Sequence, residues 1–205
     1  MNVLMINGSP RGNGNTAIAL REMKNVFAQE GIEVTELNVG VKAIRGCIAC
    51  NKCAELGKCV FDDAVNEAAT LLAKADGVVV ASPVYYASAN GNLISFLDRL
   101  FYSSRCDLTM KVGASVVCAR RGGCSATFDE LNKYFTISGM PLASSQYWNS
   151  IHGRLPGEAE QDEEGKQTMR ALARNMAFLM KSIALGKEAY GLPEKEPRVA
   201  THFIR

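Results

Sequence analysis

Val3-Leu4-Met5-Ile6 is a continuous apolar run halted by Asn-Gly-Ser-Pro, the pattern of a buried strand running into a turn. Over residues 16–30 the large apolar residues Leu20, Met23 and Phe27 recur every three or four positions, which predicts a helix with one buried face. Gly31 ends it. Alternation over residues 32–39 predicts a second strand, followed by an irregular stretch rich in glycine and cysteine over residues 40–59. Asp62-Asp63 opens a helix to about Ala75, with acidic groups at the positive end of its dipole. Residues 77–82 (GVVVAS) are apolar on both faces, as a central parallel strand requires, and Pro83 is expected to terminate that strand. A helix over 93–102, a strand over 111–118, a helix over 127–137 and a weaker last strand over 141–147 complete the alternation. Met169, Leu172, Met176, Leu179, Met180 and Ile183 form the stripe of a terminal helix, read as core packing.

Strands alternating with helices imply an α/β domain: a parallel sheet of five strands with helices on both faces. The elements use up the 205 residues with no linker and no internal repeat. One domain is therefore expected over residues 1–190, with an irregular C-terminal arm over 191–205. Composition is globular, with 47% apolar and 21% charged residues, and the net charge of +2 excludes nucleic acid or a membrane surface as the main partner. The start MNVLMINGSP lacks a basic segment and a signal cleavage site, so a cytoplasmic location is expected. Seven cysteines, an odd number, argue against a disulfide framework, and Cys47, Cys50, Cys53 and Cys59 fall within thirteen residues.

The loop Gly8-Ser9-Pro10-Arg11-Gly12-Asn13-Gly14-Asn15-Thr16 joins a buried strand to a helix and supplies what an anion needs. Backbone N–H groups come from the helix start, close approach from the glycines, and hydroxyls from Ser9 and Thr16. A Walker A loop would need a Gly-Lys-Ser/Thr ending, which is missing. The segment over residues 12–17 fits a dinucleotide fingerprint, but too far beyond the strand for its tight turn. A phosphomonoester site fits best. By the rule that ligands of open parallel sheets sit at the carboxyl ends of the strands, the loops over residues 82–91 and 119–124 are its neighbours. Tyr85 and Tyr86 could flank a flat heterocycle there, or pack on the following helix.

The strings GSPRGNGNT and SPVYYASANGNLISFLDRL together resemble the NADPH-dependent FMN reductase branch of the flavodoxin-like proteins. The resemblance implies a flavodoxin-like sheet in the order 2-1-3-4-5. It implies FMN held at its phosphate by Ser9, Arg11, Asn13, Asn15 and Thr16. Pro83, Val84, Tyr85 and Tyr86, with Ser88 and Asn90, would line the flavin, and Ala119, Arg120, Arg121, Gly122 and Gly123 would complete the pocket. The isoalloxazine would carry the electron chemistry, with NAD(P)H as a transient donor and a small-molecule or protein acceptor. No catalytic side chain is singled out. His152 and His202 read as surface or loop residues, although His152 lies on the ligand side of the sheet.

Cys47-x2-Cys50-x2-Cys53-x5-Cys59 brings three thiols into one turn with a fourth close behind. Four such thiolates can hold a [4Fe-4S] cluster. Zinc, redox-active thiols and four unliganded cysteines are the alternatives. The spacing resembles the compact motif of iron-sulfur flavoproteins, in which FMN and a cluster exchange electrons. Cys106, Cys118 and Cys124 have no ligand spacing. A non-catalytic electron carrier and a dinucleotide-dependent dehydrogenase are the competing functions. The family resemblance further implies a homodimer or homotetramer.

Overall fold

The computed structural model describes residues 1–197 and 199–201; His202 lies outside them. In chain order the elements are β1 (Asn2–Asn7), α1 (Asn15–Gln29), β2 (Glu33–Asn38), α2 (Cys53–Leu56), α3 (Ala64–Lys74), β3 (Gly77–Tyr85), β4 (Ser88–Ala89), α4 (Gly91–Ser103), β5 (Val112–Ala119), α5 (Cys124–Ile137), β6 (Ser150–His152), a 3-10 turn at Glu158–Gln161, and α6 (Glu163–Tyr190). Five strands form one parallel sheet in the order β2-β1-β3-β5-β6, and the short β4 folds back antiparallel on β3. Setting β4 aside, this is the expected 2-1-3-4-5 order.

Burial on both faces explains why β1 and β3 read as continuous apolar runs. Side chains still alternate. Val3, Met5, Val79 and Ala81 pack with α1 and α6, whereas Leu4, Ile6, Val78 and Val80 pack with the helices of the opposite face. The predicted stripe of α1 is fully inside, with Leu20, Met23 and Phe27 at most 1% exposed. Asp63 caps α3 by accepting the Val65 N–H (3.1 Å), as its place in the sequence predicted. No helix among the described residues is long and apolar enough to cross a membrane. Beyond Gly191 the described residues form no helix or strand.

Two expectations are corrected. Pro83 does not terminate β3, which continues to Tyr85. Ala81 C=O accepts the Gly8 N–H (2.8 Å), so Ala81 and, two residues on, Pro83 face β1. Since β1 pairs with β3 only as far as Ala81, the missing proline N–H falls where no ladder partner exists. The last strand is also displaced: it lies at Ser150–His152, not over 141–147. Gly113 does pair with Pro141 and Ala143 (2.8 and 2.9 Å), after which the chain leaves the sheet. It returns through buried Asn149, whose side chain donates to Ser115 C=O (3.1 Å) while its own C=O accepts from Val117 N–H (2.9 Å).

Candidate functional site

The carboxyl ends of β1, β3, β5 and β6 enclose a cleft of about 190 Å³. Its walls are the loop after β1 (Ser9, Pro10, Arg11, Gly14, Asn15, Thr16), the end of β3 (Pro83, Val84, Tyr85), the end of β5 (Cys118, Ala119, Arg120), and Gly153 with Arg154. Three arginines therefore face one small cleft, and among the described residues no carboxylate lines it. Helix α1 starts behind Gly14 with no side-chain cap and no acidic residue in its first turn, leaving its positive end open to an anion.

The first loop is braced from below. Ser9 N–H donates to Asn7 Oδ1 (2.9 Å), and Ser9 Oγ accepts the Arg11 N–H (3.2 Å), a local turn that fixes the curve of the backbone. Asn7 Nδ2 is buried at the same place without a hydrogen-bond partner. Gly40, after β2, packs so closely that a Cβ would lie 2.2 Å from the carbonyl carbon and oxygen of Ser9. On the far side, Gly123 (φ +91°) lets the loop after β5 approach Ala87 and Val84, where a Cβ would sit 2.9 Å from each.

Several predicted site residues have other duties. Asn15 lines the cleft, but its amide donates to Leu155 C=O (2.9 Å) and accepts from Ala159 N–H (3.2 Å), holding the loop after β6 against α1. Ser88 Oγ donates to the Glu130 carboxylate (2.8 and 2.9 Å), and Asn90 caps α4 by accepting the Asn92 N–H (2.8 Å). Neither lines the cleft, nor do Asn13, Tyr86, Arg121, Gly122 and Gly123. Sequence reasoning missed Gly153 and Arg154, although the rule placing ligands at carboxyl ends of strands points to any residue just past the last strand. Burial pushes the Cys118 thiol up to about 12, which keeps this cleft-lining sulfur protonated. Cys124 Sγ lies 3.8 Å from His152 Nε2.

Tyr86 and Ala87 form the two-residue turn between β3 and β4, and both have positive φ (52° and 60°), as in a type I′ hairpin turn. Such turns favour Asn-Gly; here a tyrosine and an alanine bear the strain, and Tyr86 stands fully exposed. Replacing the pair by Asn-Gly is expected to raise the unfolding free energy by about 1–2 kcal/mol, measured by urea denaturation.

The cysteine string forms a second centre. Cys47, Cys50, Cys53 and Cys59 line one cavity together with Phe61 and Arg99. Between the cysteines, Ala49 and Asn51 take positive φ (52° and 56°), and the Ala49 N–H donates to Cys47 Sγ (3.4 Å). Helices α3 and α4 hold the segment. Asn66 accepts the Cys59 N–H (3.0 Å) and donates to Cys59 C=O (3.1 Å), and Tyr102 donates to Asn51 Oδ1 (2.9 Å). Arg99, 1% exposed, forks Asp63 (2.7 and 3.0 Å) and donates to Cys59 Sγ (3.4 and 3.2 Å). Burial works against its charge, yet the hydrogen bonds to Asp63 and Cys59 outweigh it and hold the guanidinium above its ordinary pKa. Among the described residues no three His, Cys, Asp or Glu side chains converge as for a single metal ion. A cubane spreads its thiolates over separate iron corners, and four sulfurs around one cavity fit that donor set.

The family model for NADPH-dependent FMN reductases matches residues 1–154. An iron-sulfur flavoprotein of Methanocaldococcus jannaschii is 34% identical over 89% of this chain and 99% of its own. One from Methanosarcina thermophila is 28% identical over 92% of this chain and 100% of its own. Among solved structures, RosB with a bound 8-demethyl-8-formylriboflavin-5′-phosphate intermediate superposes with a TM-score of 0.71 at 15% identity, covering 100% of this chain and 94% of that one. An archaeal flavodoxin gives 0.55 at 16% identity over 86% and 99%. At these identities the structural matches show the flavodoxin-like fold alone.

Proposed function

The chain belongs to the NADPH-dependent FMN reductase family, and from that premise we propose that it is an FMN oxidoreductase carrying a [4Fe-4S] cluster. It takes electrons from NAD(P)H or a reduced carrier and passes them to a small-molecule or protein acceptor. The observation that carries this reading is the cleft itself: three arginines, no carboxylate among its described residues and an uncapped helix start, all at the carboxyl ends of the strands. The relatives' names as iron-sulfur flavoproteins and the four cysteines around one cavity support the cluster.

Bound FMN would supply hydride and single-electron chemistry, and the cluster single-electron chemistry. The chain's own residues bind and orient. Ser9, Arg11 and Thr16, with the first N–H groups of α1, would hold the phosphate. Asn15 keeps Arg154 and its loop against the cleft. Pro83, Val84 and Tyr85 would form one wall for the ring and Ala119 and Arg120 the other, with the Arg120 cation there to offset negative charge on the bound group. Cys47, Cys50, Cys53 and Cys59 would hold the cluster.

Anaerobically purified protein is expected to be coloured, to contain FMN, iron and sulfide, and to oxidise NAD(P)H with a quinone or ferric acceptor. A colourless protein that takes up no added FMN would overturn the reading. Cys50→Ser is expected to lose most of its iron while keeping its FMN, and unchanged iron would remove the cluster assignment. Assembly as a homodimer or homotetramer is also proposed: Phe178 and Leu185, two turns apart on α6, are 71% and 67% exposed. Sedimentation as a monomer at all concentrations would refute it.

A further inference from the structure

We propose that Arg99 positions the Cys59 sulfur and raises the reduction potential of the redox centre that the four cysteines hold. The inference rests on the cluster reading above and goes beyond ligand identity. Arg99 sits on α4 among Phe96, Leu97 and Leu100, all fully buried, where an unpaired cation would be expelled. Its five N–H donors are largely committed. Two fork the Asp63 carboxylate, Nε and Nη2 converge on Cys59 Sγ, and Nη1 also donates to Arg45 C=O (3.3 Å). The guanidinium further lies 5.0 Å from the centre of the Phe61 ring, which fixes its plane.

Two N–H groups on one sulfur are a poor use of a buried cation if that sulfur is a neutral thiol, a weak acceptor. They are well used on a thiolate, which gains charge-assisted hydrogen bonds. Cys47, one of the two exposed ligand candidates, is served differently: its Sγ accepts the Ala49 N–H (3.4 Å) from its own loop. An independent observation points to an occupant of the same cavity. Ser103, which lines it, has its Oγ buried without any hydrogen-bond partner.

Hydrogen bonds to cluster sulfurs and nearby charge set the potential of such a centre. A cation held against Cys59 stabilises the more negative, reduced state. Asp63 partly cancels that cation, so the two residues should act with opposite signs. Arg99→Leu is expected to lower the reduced-to-oxidised ratio at fixed potential about tenfold, a fall of about 59 mV for one electron. Arg99→Lys, which keeps the charge but loses the fork, should fall by less. Asp63→Asn keeps an acceptor for the α3 cap and should shift the midpoint upward.

The experiment is a dye-mediated redox titration of the anaerobic holoprotein, followed by visible absorbance and electron paramagnetic resonance, with iron and sulfide measured in each sample. Opposite shifts in the Arg99 and Asp63 variants support the proposal. Iron-loaded variants with the wild-type midpoint, or shifts of the same sign, reduce Arg99 to a structural strut and overturn it. Should Arg99→Leu fail to fold or load iron, the Arg99→Lys and Asp63→Asn pair decides by the same signs. Wild-type protein that binds no iron overturns the cluster reading and this proposal with it, whereas loaded wild type with unmoved variants overturns this proposal alone.

Discussion

Asp63→Ala is expected to lose about 3–4 kcal/mol of folding stability, a large share of the about 5–15 kcal/mol that holds a typical domain together. The main contribution is the stranded Arg99. Its guanidinium is 1% exposed while the Asp63 side chain is 28% exposed, so deleting the carboxylate leaves a buried cation with no counter-charge but a sulfur, a carbonyl and the Phe61 ring. Removing one partner of a buried pair costs about 3–5 kcal/mol, and partial exposure of Asp63 places this case at the lower end. The lost α3 cap adds about 1 kcal/mol, because Val65 N–H then has no side-chain acceptor. Asp63→Asn retains that acceptor and one hydrogen bond to Arg99, so a loss of about 1–2 kcal/mol is expected. Urea unfolding of the two variants checks the order. An alanine variant within 1 kcal/mol of wild type would mean that water or a neighbouring group already satisfies Arg99.

That pair also marks the boundary of what the chain reveals unaided. The central strands were legible because burial on both faces leaves nothing but apolar residues at Val3, Leu4, Met5, Ile6 and at Val78, Val79, Val80. The first loop was legible because glycines and hydroxyls between a strand and a helix have few other uses. Arg99 was not, since an arginine within an apolar helix reads as a solvent-facing charge until its partner, thirty-six positions earlier in the chain, is known to be near. Nothing in Tyr-Ala announces a turn with two positive φ values. Ser88 and Asn90 resembled flavin contacts by position, but Glu130 and the start of α4 claim their side chains. The last strand escaped because three residues, Ser150 to His152, carry no periodicity, and its place depends on the long-range bonds of Asn149.

Gly40 packs against the anion loop, and Gly40→Ala is expected to weaken FMN binding at least about 100-fold, or about 2.7 kcal/mol. An added Cβ would lie 2.2 Å from Ser9 carbonyl atoms and 2.6 Å from Pro10 N, so main chain would have to move rather than a side-chain tip. Neither side can yield freely. Val39 N–H is bonded to Asn7 C=O (2.9 Å), Gly40 N–H to Asn38 Oδ1 (3.1 Å), and Gly40 C=O to Asn92 Nδ2 (3.3 Å). Ser9 is tied to Asn7 on the other side. The displacement must therefore appear in the anion loop or be met by a stability loss of about 1–3 kcal/mol. The same segment leads on to Cys47, so lower iron content should accompany weaker flavin binding. Gly186→Ala on α6 is the control, because a Cβ there has no atom within 4 Å and the residue lies outside both candidate sites. Fluorescence titration of flavin-free protein with FMN separates the two. Equal affinities would show that the anion loop can be moved at no cost, and that its shape is not what holds the phosphate.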